Sequence, residues 1–414
     1  MWQVMDAMKK QGIHPDADTY ALIIRRATAS ESLELALQRM HEMDALGLVP
    51  QLTTAQDVAK LAADMDCPKI AIEVAQHFES GAHRKLDGET WMSCLTSSAD
   101  MLYVRSPAIT TCRCRLTGFK ADGVKICWQE VVHTLKLIPD EGACLSVLQA
   151  CARHGLSDLA LDVMQVLRKI GVDTWDEYHF APLFEALCRD GKLKEALRTL
   201  DQMRKQCVNP IQETVRPFAE YLQQDLDRLD GVWEMLDQWQ REGNTVDTSI
   251  LNSIIQASVS CGDVQRAMGA YRSFSDYGCK PTVETFNYLL SGCVAAKHRQ
   301  LGDKLLLNLK QAVVTPNAKT YEHIILLCLT QPVYDDAFFY LEEMKTRKFV
   351  PSAKVYTAVI QACVSAKDSR YAIALAEMRQ CGYTLSPSLQ QVLSDYRLLS
   401  PQESMPLQRD NGKE

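Results

Sequence analysis

The sequence predicts an all-α fold, a solenoid of about ten helix-turn-helix repeats of 35 residues each. Three observations predict it: prolines recur at intervals built from 35 or 36 residues, an aromatic residue recurs early in the units, and a small residue recurs midway. With 47% hydrophobic and 23% charged residues, the 414-residue chain has enough apolar surface for a continuous core. Such a chain folds as one array because each repeat packs only on its neighbours.

The prolines near the ends of helical stretches give the repeat length. Their spacings are 35, 89, 71, 71, 35 and 35 residues, and they stand at Pro15, Pro50, Pro139, Pro210, Pro281, Pro316 and Pro351. Because 71 is 35 plus 36, every interval but one contains one or two whole units. We place the units at 17–51, 52–87, 88–140, 141–176, 177–212, 213–247, 248–282, 283–317, 318–352 and 353–386, after a half-unit at 1–16.

The 89-residue interval exceeds two units by 18 residues, since 89 − 71 = 18, and contains an irregular segment at 104–121. This segment has four basic residues, no acid and no helical period. Three interpretations stay open: a basic surface loop that reaches a partner, a tolerated loop insertion, or an in-frame gene-model artefact. Cys112 and Cys114 lack a second ligand pair at zinc-finger spacing, so the segment predicts no metal site.

Within the aligned units, apolar residues recur at fixed positions and predict the core. The fourth position is aromatic at Tyr20, Trp91, Phe180, Phe286, Tyr321 and Tyr356. A small residue recurs in the second helix at Ala36, Ala71, Ala160, Ala196, Ala267, Ala337 and Ala372, and an apolar residue follows seven positions later. Cysteines at the eleventh position, Cys151, Cys293, Cys328 and Cys363, are expected to be buried as small hydrophobes.

The composition excludes several classes of function. A net charge of −7 argues against nonspecific coating of nucleic acid, which depends on phosphate neutralisation, so any RNA contact requires a local basic strip. No apolar run is long enough to span a bilayer. The 15 scattered cysteines are typical of a reducing compartment. No phosphate-binding loop, nucleophile elbow or clustered metal ligands occur, so we predict no cofactor and no catalytic residues.

Two segments, FEALCRDGKLKEALRTLDQMR at 184–204 and GCKPTVETFNYLL at 278–290, closely resemble the pentatricopeptide repeat consensus. The resemblance covers residues 1–387 and implies a right-handed superhelical solenoid. A capping helix is expected at 388–399 and a disordered tail at 400–414. A tetratricopeptide array, the nearest alternative, has a period of about 34 residues and a Trp-x-x-Leu-Gly-x-x-Tyr signature that this chain lacks.

In the family that this chain resembles, each repeat reads one base of single-stranded RNA, mainly through its fifth and last residues. The resemblance implies base-reading pairs at Asn252 with Thr282 and Asn287 with Asn317, of a kind that favours pyrimidines. Thr357 with Ser386 is a further candidate pair. Basic residues near the ends of first helices, which face phosphates in the family, are matched by Arg153 and Arg189.

Other pairs depart from the family pattern. Ala21 with Gln51, Leu145 with Trp175 and Ala181 with Ile211 offer little base-reading chemistry, and Glu322 with Ser352 would place a carboxylate near phosphates. The second residue, apolar in the family, is instead polar or charged at Ser249, Glu284, Lys319 and Lys354. Base stacking is therefore expected to be weaker than in the family's best binders.

The resemblance implies a single-stranded RNA-binding protein of mitochondrial RNA processing, stability or translation, with no catalysis of its own. The alternative is a protein-protein scaffold in a ribosome-associated or RNA-processing complex. Residues 1–5 already have the spacing of a core-facing helix and lack the character of a transit peptide, so an N-terminal portion is expected to be missing.

Overall fold

The computed structural model describes residues 8, 12, 15–82, 84–103, 121–172 and 175–399. These residues form helices and turns, with no strand among them. The chain divides into two compact units, Met1–Tyr221 and Leu222–Glu414. The structure thus confirms the predicted all-α solenoid of helix-turn-helix repeats. No helix in the described part of the chain has the length and apolar character needed to cross a bilayer.

The described residues of the first unit form five helix pairs and most of the first helix of a sixth. Its helices are α1 (Ala17–Ala29), α2 (Leu33–Ala45), α3 (Leu52–Asp64), α4 (Pro68–Ala82), α5 (Gly88–Tyr103), α6 (Asp122–Trp128), α7 (Glu141–His154), α8 (Ser157–Ile170), α9 (Glu177–Arg189), α10 (Leu193–Lys205) and α11 (Gln212–Leu222). A π-helical turn, Gln129–Thr134, continues α6. Repeat 1 consists of α1 and α2, repeat 2 of α3 and α4, and so on along the chain.

The second unit begins with the second helix of repeat 6 and continues through repeats 7 to 10. Its helices are α12 (Leu226–Arg241), α13 (Thr248–Ser260), α14 (Val264–Arg272), α15 (Val283–Ala295), α16 (Arg299–Gln311), α17 (Ala318–Leu329), α18 (Asp335–Thr346), α19 (Ala353–Ser365), α20 (Tyr371–Gln380) and α21 (Pro387–Leu399). Helix α21 coincides with the segment expected as a capping helix, and its capping role stays a prediction.

Within each unit, the first helices from α1 to α9 and from α13 to α19 pack against their own second helices and against one another. In the first unit the first helices follow the order α1, α3, α5, α7, α9, and in the second unit the order α13, α15, α17, α19, α21. The first helices therefore form one layer and the second helices another. This layering places the early residues of successive first helices side by side.

Turn and cap residues set where each helix begins and ends. The last residue of one repeat is usually the N-cap of the next first helix, as at Asp16 and Asp140, whose carboxylates accept hydrogen bonds from backbone N–H groups. At the fifteenth position of most repeats a left-handed residue closes the first helix, and these residues are Glu31, Asp66, Gly155, Gly191, Gly262, Lys297 and Lys367. The repeat length is thus set by a cap and a turn at fixed positions.

The periodic core prediction is confirmed with one exception. The fourth-position aromatic residues and the eleventh-position cysteines are buried, and so are the small residues of the second helices up to Ala337. Ala372 was expected in that set but is exposed, and Ala374 is buried instead. Helix α20 begins at Tyr371, so Ala372 lies in its first turn, whereas the other second helices begin two or three residues before the small residue.

Several sequence predictions fall outside the described residues. They concern most of residues 1–16, the segment 104–120 with Cys112 and Cys114, and the tail at 400–414. Helices α5 and α6 stand on either side of the irregular segment, so it connects the two helices of repeat 3.

Candidate nucleic-acid interface

The predicted base-reading asparagines lie in the second turns of two neighbouring first helices. Asn252 is the fifth residue of α13 and Asn287 the fifth residue of α15, and these two helices pack against each other. Their exposed fractions are only 9% and 7%. Amide groups buried to this extent need hydrogen-bond partners, and the start of the next first helix supplies them.

Asn252 is hydrogen-bonded to two residues at the start of the next first helix, α15. Its Nδ2 donates to Thr282 Oγ1 at 3.3 Å, and its Oδ1 accepts a hydrogen bond from Thr285 Oγ1 at 2.6 Å. Thr285 Oγ1 also accepts from the backbone N–H of Thr282 at 2.9 Å. Thr282 is the N-cap of α15, so the predicted pair is held at a helix start.

The same arrangement recurs one repeat later. Asn287 Nδ2 donates to Asn317 Oδ1 at 3.2 Å, and Asn287 Oδ1 accepts from Thr320 Oγ1 at 2.7 Å. Asn317 is the N-cap of α17 and also accepts a hydrogen bond from the backbone N–H of Thr320 at 3.0 Å. The structure therefore brings together both predicted Asn pairs, each with a third-position threonine.

These bonds fix the orientation of both amide groups and leave some of their donors available. An amide NH₂ has two N–H donors, and among the described residues each asparagine uses one of them. Asn317 uses its oxygen in the network, while its own NH₂ donates to none of the described residues. The two sites therefore offer N–H donors in a fixed direction, which suits a carbonyl oxygen on a ligand.

The third predicted pair is not joined by a hydrogen bond. Thr357 Oγ1 donates to the backbone carbonyl of Ala353 at 2.7 Å, within its own helix. Ser386 Oγ accepts from the backbone N–H of Leu389 at 3.3 Å and lies 3.0 Å from Ser388 Oγ. Both hydroxyls are thus occupied locally, and their reading role stays a prediction.

The two predicted phosphate contacts differ from free surface cations. Arg189 forms an ion pair with Glu185 one helical turn earlier, with Nη2 2.8 Å from Glu185 Oε1, and its side chain is 46% exposed. Arg153, at the same position of the preceding repeat, is half-buried. Exposed ion pairs of this kind are weak and are screened by salt, so Glu185 reduces the local positive charge without removing the arginine from the surface.

The four departing pairs do not form this hydrogen-bonded arrangement. Gln51 donates its side-chain amide to Asp18, and the buried Trp175 donates Nε1–H to the backbone carbonyl of Val172 at 2.8 Å. Ile211 is exposed and has no polar side-chain atom. Glu322 makes no hydrogen bond or ion pair with the described residues. Among the pairs compared, the network of asparagine and threonine hydrogen bonds occurs in repeats 7 and 8.

Charge on the first helices of repeats 7 to 10 is sparse. Helices α13, α15, α17 and α19 together carry two acids and two lysines, which are Glu284, Glu322, Lys319 and Lys354. Burial, followed by the charges of Lys354 and Lys319, lowers the pKa of His323, while Glu322 acts in the opposite direction. His323 is therefore neutral at pH 7, and the two lysines provide the local positive charge.

Thr285 and Thr320 are part of both networks, yet the sequence analysis did not single them out. The available signal was the capping-box pattern, in which a polar residue follows an N-cap by three positions, as in Thr282-x-x-Thr285 and Asn317-x-x-Thr320. No group of three or more potential metal ligands occurs among the residues that the structure describes.

Comparison with known proteins gives the same family for two parts of the chain. A model described as "Pentatricopeptide repeat-containing protein" matches residues 141–274, and one described as "Pentatricopeptide repeat domain" matches residues 304–366. The matched residues include Asn252 and the part of repeats 8 to 10 that contains Asn317 and Thr320.

Two curated relatives carry the same family name. A mitochondrial pentatricopeptide repeat-containing protein of Arabidopsis thaliana is 29% identical over 150 residues, which cover 34% of this chain and 28% of that protein. The human mitochondrial pentatricopeptide repeat-containing protein 1 is 25% identical over 149 residues, covering 36% of this chain and 20% of that protein. The matched part is therefore less than a third of either relative.

Among solved structures, the pentatricopeptide repeat protein PPR10 from maize is 17% identical, with a TM-score of 0.44, covering 96% of this chain and 58% of that one. The family models match where the sequence repeats and where the structure has its helix pairs. In these two matched parts, residues 141–274 and 304–366, the chain has pentatricopeptide repeats.

Proposed function

We propose that this chain binds single-stranded RNA through the first helices of repeats 7 and 8. The observation that carries the proposal is the repeated geometry at Asn252 and Asn287, whose oxygens accept from threonine hydroxyls at 2.6 and 2.7 Å one repeat apart. Two amides held in the same orientation at one-repeat spacing suit a ligand that itself repeats. A single-stranded nucleic acid presents one unstacked base after another.

The free N–H donors of these sites favour pyrimidines. Uracil and cytosine both carry an O2 carbonyl on the base edge, which accepts a hydrogen bond from an amide N–H. Adenine has no carbonyl oxygen, and the single carbonyl oxygen of guanine, O6, lies farther from the sugar than O2 of a pyrimidine. Because the oxygen of each asparagine is already bonded to a threonine, the amide cannot easily turn over to accept instead. The proposed preference at both sites is therefore for a pyrimidine.

The experiment is a binding titration of the purified chain with single-stranded RNA, double-stranded RNA and single-stranded DNA at several salt concentrations. We expect selective binding of single-stranded RNA, with log affinity falling by about 0.7 per phosphate contact for each unit of log salt. Replacement of both Asn252 and Asn287 by alanine removes the pyrimidine preference. Equal binding of all three nucleic acids, or none at low salt, overturns the proposal.

The cellular role proposed for this binding is mitochondrial RNA processing, stability or translation, without catalysis by the chain itself. The names of the Arabidopsis and human relatives include a mitochondrial location, which supports this proposal for the shared family. Expression of a tagged full-length protein and imaging against a mitochondrial marker test it. Fluorescence confined to another compartment overturns the mitochondrial part alone.

A protein-protein scaffold in a ribosome-associated or RNA-processing complex is the second candidate function. The observation that favours it is the ion pair of Arg189 with Glu185, which weakens the predicted phosphate contact. A scaffold whose first-helix layer holds a peptide would bind its partner with the same affinity after the Asn252 and Asn287 replacements. Co-purification of a partner that RNase treatment does not release, together with absent RNA binding, supports the scaffold.

A further inference from the structure

Repeat 9 carries a different set of groups at the positions that form the two asparagine networks. Thirty-five residues after Asn287, Asn317 and Thr320, the chain has Glu322, Ser352 and Val355. Helix α17, which carries Glu322, packs against α19, whose N-cap is Ser352. The helices thus follow the same packing order as in repeats 7 and 8, and the chemistry at the site differs.

The polar groups of this third site lack partners within the described residues. Valine at position 355 has no hydroxyl, so it cannot make the bond that Thr320 donates to Asn287. Ser352 Oγ is buried and has no hydrogen-bond partner. The half-buried Glu322 makes no hydrogen bond or ion pair, whereas Asn252 and Asn287 each make two hydrogen bonds. Buried polar groups rarely remain unpaired in a functioning protein, so this site has the capacity to take up an external partner.

An ionised carboxylate only accepts hydrogen bonds, which limits the base that it can hold. Guanine presents two adjacent donors, N1–H and the N2 amino group, which match the two oxygens of a carboxylate. Adenine and cytosine each present one amino donor beside a ring nitrogen lone pair, which faces the second oxygen unfavourably. In uracil the single N3–H lies between two carbonyl oxygens, and both repel a carboxylate.

A carboxylate beside an RNA backbone needs nearby positive charge, and two lysines provide it. Lys319 and Lys354 are the second residues of α17 and α19, both are exposed, and neither is ion-paired among the described residues. Lys319 and Glu322 stand three residues apart on α17, and Lys354 is on α19, which packs against α17, so these charges lie near one another. With His323 neutral, the two lysines and one glutamate leave a net charge of +1.

We propose that Glu322 and Ser352 form a guanine-selective site on repeat 9, beside the pyrimidine-selective amide of Asn287 and between two lysines that attract the RNA backbone. The inference rests on the proposed RNA-binding function. The Glu322 carboxylate accepts from guanine N1–H and N2–H. Ser352 Oγ gains a partner from the same base or from a water bound with it.

The test is selection of a random pool of single-stranded RNA on the full chain, followed by sequencing. The wild-type chain is expected to enrich a motif with guanine at the nucleotide next to those that depend on Asn252 and Asn287. Glu322→Gln keeps the size of the side chain and removes the second acceptor, so guanine preference at that nucleotide should fall about tenfold. The double replacement Glu322→Asn with Val355→Thr rebuilds the pattern of repeat 8 and should convert that nucleotide to a pyrimidine.

Glu284→Gln is the matched control, because Glu284 lies at the second position of α15 and its replacement removes the same charge from the neighbouring helix. This variant should keep the guanine preference. A motif that responds to Asn252 and Asn287 but is unchanged by Glu322→Gln overturns the repeat 9 site and leaves the proposed function standing. Failure of the wild-type chain to enrich any RNA overturns both.

Discussion

The Thr320 hydroxyl donates a hydrogen bond to Asn287 Oδ1 at 2.7 Å, and both residues are buried. Thr320 lies in the first turn of α17 and Asn287 in the second turn of α15, so the bond joins two repeats. The amide that is expected to contact a base is therefore positioned by the first turn of the next repeat. Stability and the proposed base recognition therefore depend on the same bond.

Thr320→Val removes this bond while keeping the shape of the side chain. The buried oxygen of Asn287 is then left without its donor, which costs about 1–2 kcal/mol of the free energy of unfolding. The amide is also free to turn over, so pyrimidine preference at that nucleotide should fall. Urea unfolding measures the first effect, and competition between RNAs that differ at one base measures the second.

Thr346→Val is the control for that substitution, since Thr346 is exposed at the end of α18 and its hydroxyl donates only to a backbone carbonyl in its own helix. It should change neither stability nor base preference measurably. Equal effects of the two replacements would show that Thr320 has no special role in the Asn287 site.

Several second helices are followed by a residue in the left-handed backbone conformation, with positive φ. This residue is a glycine in repeat 7 and a valine in repeat 8. Gly278 has φ +67° with open space at the missing Cβ, whereas Val313 has φ +55° and is 87% exposed. A β-branched residue is strained in this region. Val313→Gly should therefore stabilise the second unit by about 1 kcal/mol, after the entropy cost of glycine is subtracted.

The reverse change at the equivalent position provides the matched comparison. Gly278→Val places the same strain one repeat earlier and should lower stability by about 1–2 kcal/mol. Thermal unfolding of the two variants beside the wild type measures both shifts. Loss of stability in both variants would refute the strain at Val313.

The ion pair of Asp368 with Arg370 predicts a pH dependence of stability. Arg370 Nη2 lies 2.7 Å from Asp368 Oδ2 and 2.9 Å from Asp335 Oδ1, and the Tyr334 hydroxyl donates to Asp368 Oδ2 at 3.0 Å. The hydrogen bond from Arg370 lowers the pKa of Asp368 to about 2, against the pull of partial burial. An aspartate in the unfolded chain has a pKa of about 3.9.

Because the folded pKa is depressed, this carboxylate contributes its full stabilisation above about pH 4 and loses it as the pH falls through about 2. Asp368→Asn should therefore cost about 1 kcal/mol at pH 7, with solvent screening taken into account, and progressively less between pH 4 and pH 2. Urea midpoints of both proteins across this range measure it. A difference that stays constant down to pH 2 would contradict the assignment. Asp336→Asn is the control, because the Asp336 side chain is 70% exposed and is paired with Arg299.

Burial divides the cysteines into two reactivity classes. Desolvation raises the pKa of Cys144 and of Cys151 to about 12, while Cys207, Cys261 and Cys381 are exposed. Since the thiolate is the reactive form, iodoacetamide at pH 8 should label the exposed three in the folded protein and the buried two only after unfolding. Peptide mapping by mass spectrometry follows each site. Rapid labelling of Cys151 in the folded chain would contradict its place in the core.

The repeat pattern could be predicted because periodic burial leaves a periodic sequence. Prolines such as Pro281 and core aromatics such as Phe286 recur at one spacing, so the repeat frame follows from the sequence alone. The same frame predicted that Asn287 and Asn317 lie together. It failed at Ala372, because a position count cannot detect that α20 begins late, after the turn formed by Asp368 and Arg370.

The parts of the site that depend on direct contacts could not be predicted in the same way. Thr320 follows the pattern of a helix cap, and only the packing of α17 on α15 brings its hydroxyl to Asn287. The loss of the equivalent hydroxyl at Val355 has a consequence only because Ser352 Oγ is buried there. Glu185, by contrast, stands four residues before Arg189, so this ion pair was visible in the sequence.

The most direct test of the central claim is photo-cross-linking of a bound single-stranded RNA, with the cross-linked residues located by mass spectrometry. The account predicts cross-links in the first helices α13, α15 and α17, near Asn252 and Asn287. An excess of unlabelled single-stranded RNA should prevent these cross-links. Cross-links confined to second helices such as α14 and α16, or no specific cross-links at all, would contradict it.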